Sequence, residues 1–221
     1  MMFVISLGGS LVYPKKFDKI FVDKFSRLIS KEVKKGNKFI IYCGGGYLAR
    51  KRQRLFSFIK NKYFLDWIGI LATRSNAEKL KENLDINTYK KIITNPTKKV
   101  KFENDVIIAA GWKPGWSTDY DAVLLAKRLG IKSIINMSNI DYVYDKDPKK
   151  FKNAKALNNI SWKSFRKLVG NEWKPGLNMP FDPIAAKEAQ KSGITVVVTG
   201  NNLNNLKNIL ENKKFKGTII R

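Results

Sequence analysis

Four short loops hold most of the residues able to do chemistry, and none contains a histidine, because the chain has none. The first is SLGGS, residues Ser6, Leu7, Gly8, Gly9 and Ser10. Adjacent glycines let the backbone approach a ligand closely and turn its amides toward an anion. The second is GGGYLAR, in which Gly44, Gly45 and Gly46 lead toward Arg50. Glycines between an apolar run and a helix bring free amides and a helix N-terminus to one spot, an anion site. Arg50, one turn on, could add a bidentate phosphate contact, whereas Lys51, Arg52, Arg54 and Lys60 read as solvated surface.

The third loop is GWKPGWSTD, with Lys113, Pro114, Gly115, Trp116, Ser117, Thr118 and Asp119. Hydroxyls and amides at a helix start suit a phosphate or a ribose, and Trp112 and Trp116 offer faces on which a base could stack. The fourth is SNIDYVYDKDP, carrying Ser138, Tyr144 and the carboxylates Asp141, Asp145 and Asp147. Those carboxylates could hold a hard cation or stay solvated; the spacing lacks the glycine and terminal glutamate of an EF-hand. Without imidazole, no nucleophile–base pair is present. Glycine loops, a Ser/Thr-Asp helix start and acidic groups together favour phosphoryl transfer, in which positioning and charge neutralisation do the catalysis.

Two better-known phosphate motifs fit less well. Gly44, Gly46 and Ala49 satisfy G-x-G-x-x-A, but that fingerprint belongs after the first strand of a βαβ unit, with an acidic residue ending the next strand. Here it follows the second apolar run, and Asp66, at about the right distance, heads a helical pattern where it would be a cap. The P-loop pattern G-x-x-x-x-G-K-[ST] does not occur.

The elements that must position these loops alternate along the chain. Runs at 2–7, 38–43, 90–94, 105–110, 132–137, 194–199 and 217–221 read as strands buried on both faces. Between them, residues 17–36 place Ile20, Phe21, Phe25, Leu28, Ile29 and Val33 on one stripe that ends at Gly36. Further helical patterns span 65–84, 118–130 (Ser117 or Thr118 as cap) and 182–193, the last opening on Asp182 and a proline at its first position. This order predicts an α/β protein, an αβα sandwich around an open, mainly parallel sheet. The rhythm breaks at 136–157, a loop or small hairpin, and again at the proline-rich 174–183.

With 221 residues and 43% hydrophobic content, the chain fits one globular domain. Its single cysteine, Cys43, excludes an intrachain disulfide. No apolar run approaches the ~20 residues of a membrane helix and the start lacks a secretory pattern, so a cytoplasmic protein without membrane contact is expected. The formal charge of +25 points first to polyanions. Lysines are spread through nearly every segment, however, so a dedicated nucleic-acid role is disfavoured.

Taken in order, the loops resemble the amino-acid-kinase superfamily, and most closely its uridylate (UMP) kinase branch of archaeal type. The resemblance runs from SLGGS through GGGYLAR, DWIGILATRSNA, KPGWSTD and SNIDYVYDKDPKK to FDPIAAKEA and GTIIR, nearly the whole chain. It implies about eight strands in a single kinase domain, 1–221, with an acceptor half at roughly 1–130 and an ATP half at roughly 131–221. It also implies ATP with Mg²⁺ as cofactor, UMP as acceptor, and a homo-oligomer, a hexamer. On the ATP side it places Ser6, Leu7, Gly8, Gly9, Ser10, Gly46, Arg50, Ser138, Tyr144 and Asp147. On the UMP side it places Gly45, Asp66, Lys113, Pro114, Gly115, Trp116, Ser117, Thr118 and Asp119. Gly9, Ser10, Arg50 and Asp182 become the catalytic set, and no metal ligand is assigned firmly to the protein.

The sequence departs from the family pattern at two places. Ser6 stands where many members carry a lysine, leaving Lys15, Lys16, Lys113 or Lys146 as substitutes. Tyr142 takes the place of a glycine and would be strained if that position needs a positive φ. Isopentenyl phosphate kinase is disfavoured because that family uses a catalytic histidine. Acetylglutamate and glutamate kinases are disfavoured because Asp66 and KPGWSTD match the nucleotide set. The alternatives left open are another superfamily phosphotransferase with a different acceptor, or a catalytically impaired nucleotide- or nucleic-acid-binding protein of the same fold.

Overall fold

Apolar runs with no polar face can be satisfied only inside a sheet covered on both sides, and that is where they lie. The computed structural model describes residues 1–100, 103–148, 150–170, 172 and 179–221. Strand β1 (Met2–Leu7) runs into a single turn, α1 (Gly9–Val12), and then α2 (Lys19–Lys34). Next come β2 (Lys38–Cys43), α3 (Gly46–Leu55), α4 (Lys62–Glu82), β3 (Val106–Ala109), α5 (Thr118–Arg128) and β4 (Ser133–Met137). A small hairpin, β5 (Val143–Tyr144) with β6 (Ala156–Leu157), precedes β7 (Asn159–Ile160) and α6 (Trp162–Val169). The chain closes with α7 (Pro183–Lys191), β8 (Thr195–Thr199), α8 (Leu203–Leu210) and β9 (Thr218–Ile220).

The main sheet has seven strands in the order β3-β2-β1-β4-β8-β9-β7, parallel except where β8 meets β9. Its register sorts the core into two layers. Val4, Ile40, Ile107, Ile134 and Val196 stand side by side and face α5, α6 and α7. Their chain neighbours Ile5, Ile41, Ile108 and Ile135 face α2, α4 and α8. Each such fully buried side chain contributes about 1.5–3 kcal/mol by leaving water. Successive strands move outward from β1 in one direction as β2 and β3, and in the other as β4 and β8. The chain therefore switches direction between β1 and β4, and ligands of open α/β sheets bind at the carboxyl ends of strands beside such a switch.

Two expectations need correction. The strand expected at 90–94 is two isolated bridges, Thr88 to Val106 and Ile93 to Ala109, because bends at Lys90 and Lys91 interrupt the pairing. Among the described residues the main sheet still has seven strands, in keeping with the expected open, mainly parallel sheet of about eight. Ile20 is exposed, since the buried stripe of α2 is centred on Val22, Phe25 and Ile29. Residues 173–178 of the predicted proline-rich break lie outside the described residues.

Candidate active site

The two glycine loops meet backbone to backbone at the switch point. The Gly44 amide donates to the Leu7 carbonyl at 2.9 Å and the Gly8 amide to the Met137 carbonyl at 2.8 Å, locking the ends of β1, β2 and β4 together. A Cβ on Gly9 would lie 2.1 Å from the Gly44 carbonyl oxygen, and one on Gly46 would lie 2.2 Å from the Ser10 nitrogen. Gly46 also has φ of +54°, a conformation open to glycine at little cost. From α4, Asn76 donates through Nδ2 to the carbonyls of Gly44 (2.9 Å) and Gly45 (3.2 Å), holding the second loop from behind. Arg50 Nη2 reaches Ser10 Oγ at 3.2 Å and joins the loops from the solvent side. The first-turn amides of α3 have no partner within their helix, so this junction is suited to anionic oxygens.

Next to it lies a cavity of about 150 Å³ whose lining includes Gly45, Gly46, Arg50, Asp66, Trp116 and Thr118. The sequence suggested Asp66 as a helix cap, but α4 begins earlier, on Asn61, whose side chain accepts from the Phe64 amide. Asp66 instead accepts the Gly115 amide at 2.7 Å and latches the tip of the third loop. Burial pushes its carboxyl up, and the Gly115 hydrogen bond opposes that. The stem of the same loop is held by α4 as well. Thr73 Oγ1 accepts the Gly111 amide (2.8 Å), and Arg74 Nη2 donates to the carbonyls of Gly111 (3.3 Å) and Trp112 (3.1 Å). Trp116 stacks on Tyr120 with centroids 4.3 Å apart, while Lys113 lies over the Trp112 ring. Ser117 caps α5 as predicted.

Asp119 turns away from this cavity, toward the first glycine loop. Its Oδ1 accepts the Ser6 hydroxyl at 2.7 Å and its Oδ2 accepts the Asp182 amide at 3.3 Å. Ser6 thus orients a carboxylate where many relatives in the resemblance would place a cation. Asp182 caps α7 through the Ala185 amide (2.6 Å), and among the described residues its buried Oδ2 has no hydrogen-bond partner of good geometry. Burial raises Asp119, takes Asp182 to about 6 and Asp121 to about 8, against hydrogen bonds that pull each down. Asp121, Asn76, Thr73 and Arg74 were not singled out from the sequence. Only Asp121 carried a signal there, as a carboxylate two residues beyond Asp119 on a helix otherwise apolar in that stretch.

Ser138 closes the other side, its amide donating to the Thr199 carbonyl at 3.0 Å. Tyr144 pairs with Ala156 in the small hairpin, and the Asp147 carbonyl receives the amides of Lys150 and Phe151 in a turn. The acidic loop does not converge on a cation. Asp145 Oδ1 is taken by the Lys155 amide (2.8 Å), and among the described residues no group of three His, Cys, Asp or Glu could hold a metal. Tyr142 is unstrained, because Asn212 is the sole non-glycine with positive φ among the described residues. A larger concavity between α2 and α8, about 1110 Å³, is walled by lysines and lies apart from the glycine loops.

The model of the amino acid kinase family matches residues 1–200. The uridylate kinase of Pyrococcus abyssi is 35% identical over 205 residues, covering 90% of each chain. That of Methanococcus aeolicus is 31% identical over 226 residues, covering 100% of this chain and 99% of its own. Among solved structures, the uridylate kinase of Archaeoglobus fulgidus superposes with a TM-score of 0.86 at 29% identity over the full length of both chains. This chain belongs to the amino acid kinase family.

Proposed function

We propose that the chain transfers the γ-phosphoryl group of ATP to the phosphate of UMP. An oxygen of the UMP phosphate attacks γ-phosphorus in line, the bond to the β,γ-bridging oxygen breaks, and UDP and ADP leave. The observation that carries this is the backbone contact between the two glycine loops, bridged by Arg50 on Ser10. It sets two phosphate cradles side by side, which is what transfer between two bound phosphates needs. The uridylate kinases similar over nearly the whole chain support UMP as acceptor.

In this proposal Gly8, Gly9 and Ser10 hold the ATP phosphates, Gly45 the UMP phosphate, and Gly46 and Arg50 the equatorial oxygens where charge builds up. Asp66 and residues 113–118 receive the acceptor nucleoside, and Ser138, Tyr144 and Asp147 the ATP nucleoside. Asp119, aligned by Ser6 and the Asp182 amide, orients the groups between them. The acceptor half is then roughly 1–130 and the ATP half roughly 131–221. Mg²⁺ would ride on the ATP phosphates and neutralise their charge. Leu55 at the end of α3, Phe58 in the following link, and Tyr63 and Leu71 of α4 are large apolar side chains left exposed, which supports a homo-oligomer, and we extend this to a cytoplasmic hexamer.

A coupled ADP-release assay over UMP, CMP, AMP, GMP and non-nucleotide acceptors tests the proposal. UMP is expected to be the preferred acceptor. Absence of turnover with UMP above background, or a preference for a non-nucleotide acceptor, overturns it.

A further inference from the structure

Asp121 is fully buried in the face of α5 that packs on the sheet, two residues beyond Asp119. An ordinary α/β core would put an apolar side chain there, because a buried carboxyl loses several kcal/mol of hydration unless it is well partnered. Its partner is informative. Asp121 Oδ2 accepts the Trp112 amide at 3.0 Å, at the stem of the third loop. Beneath it, in the same core layer as Ala122, Val123 and Ala126, lies Tyr42 of β2, also fully buried. Among the described residues Tyr42 Oη and Asp121 Oδ1 are both buried without a hydrogen-bond partner. Burial, and after it the Asp121 carboxylate, raise the Tyr42 hydroxyl. Tyr42 is the last residue but one before Gly44.

We propose that Asp121 is a positioning residue for the acceptor. It fixes the stem of the 111–117 loop through the Trp112 amide. Thr73 and Arg74 hold the Gly111 amide and the Gly111 and Trp112 carbonyls, but not the Trp112 amide, which falls to Asp121. The loop then runs to Ser117 with the Gly115–Asp66 hydrogen bond holding its tip. A loose stem would let the tip wander over the acceptor cavity while the ATP side stayed intact. The inference rests on residues 111–118 being the acceptor loop.

Steady-state kinetics and amide exchange of the 111–117 segment test it in wild type, Asp121→Leu and Asp121→Asn. Asp121→Leu fills the space without an acceptor, and thermal melting alongside checks that it folds. It is expected to raise KM for UMP by about tenfold, the loss of one hydrogen bond, leave KM for ATP unchanged, and speed exchange at Trp112. Asp121→Asn keeps an oxygen for the amide and is expected to restore KM for UMP to within about threefold of wild type. Equal changes in both KM values, or a fall in thermal stability with KM for UMP unchanged, overturn the inference. Should wild type fail to use UMP, the proposed function falls on its own, and unchanged exchange at Trp112 in Asp121→Leu still decides whether Asp121 holds the loop.

Discussion

Gly9→Ala is the sharpest probe of the loop junction. The added Cβ would fall 2.1 Å from the Gly44 carbonyl oxygen and 2.6 Å from the carbonyl carbons of Gly44 and Gly45, where real Cβ contacts stay beyond 3.0 Å. All three neighbours are backbone, so no flexible side chain can yield, and the loops must part by roughly an ångström. A displacement of that size in a phosphoryl-transfer site costs on the order of 10²-fold in rate, about 2.7 kcal/mol of barrier. Gly44→Ala is a graded control: its nearest contact, the Gly9 nitrogen at 3.0 Å, needs only a few tenths of an ångström of relief. The assay is kcat/KM by coupled ADP release, with thermal melting alongside to confirm folding. Gly9→Ala is expected to lose about 10²-fold and Gly44→Ala well under tenfold. A folded Gly9→Ala protein within about threefold of wild type would refute the claim that contact between the loops sets the transfer geometry.

The remaining predictions concern charge. Burial raises Asp121 from 3.8 to about 8, so its contribution to stability is fully present below the unfolded value and is lost as pH rises through the folded one. Asp182, raised to about 6, adds to the same trend at lower pH, with Asp119, Lys113 and Tyr42 the other ionisable groups around Asp121. Denaturant unfolding of wild type should weaken relative to Asp121→Asn by up to about 1.4 kcal/mol per pH unit between roughly pH 4 and 8; parallel curves would show that the carboxyl stays ionised. Arg50→Ala should cut kcat/KM by about 10²–10³-fold with an unchanged melting temperature, because Arg50 is exposed and, among the described residues, its side chain bonds to Ser10 Oγ alone. Lysine there should recover only part of the loss, since it lacks the planar fork.

Much of this molecule could be read without coordinates, because the physics involved is local. Runs such as FIIYC and VIIAA have no polar face and must be interior strands, and Ser117, Asp182 and the glycines announce helix ends by their own hydrogen-bonding capacity. The order of the glycine loops carried the family. The segment at 90–94 misled because β-propensity says nothing about whether a neighbouring strand stays within reach across a bend. Helices α6 and α8 were not anticipated; each starts on a Ser or Asn cap but is only eight residues long, too short for periodicity to stand out.

What the sequence determined by itself was therefore the α/β class, the seeds of the site and the chemistry a histidine-free set of groups can do. Tertiary structure alone decided which groups meet. Ser6 and Asp119 are 113 residues apart and Asp66 and Gly115 are 49 apart, yet each pair shares a hydrogen bond. Asp66 became a latch rather than a cap, and Asp119 turned from the acceptor cavity toward Ser6 and Asp182. Asp121 moved from an unremarked helical carboxylate to a fully buried one. These outcomes depend on parallel strands bringing distant loops to one edge of the sheet, a long-range arrangement that no window of sequence contains.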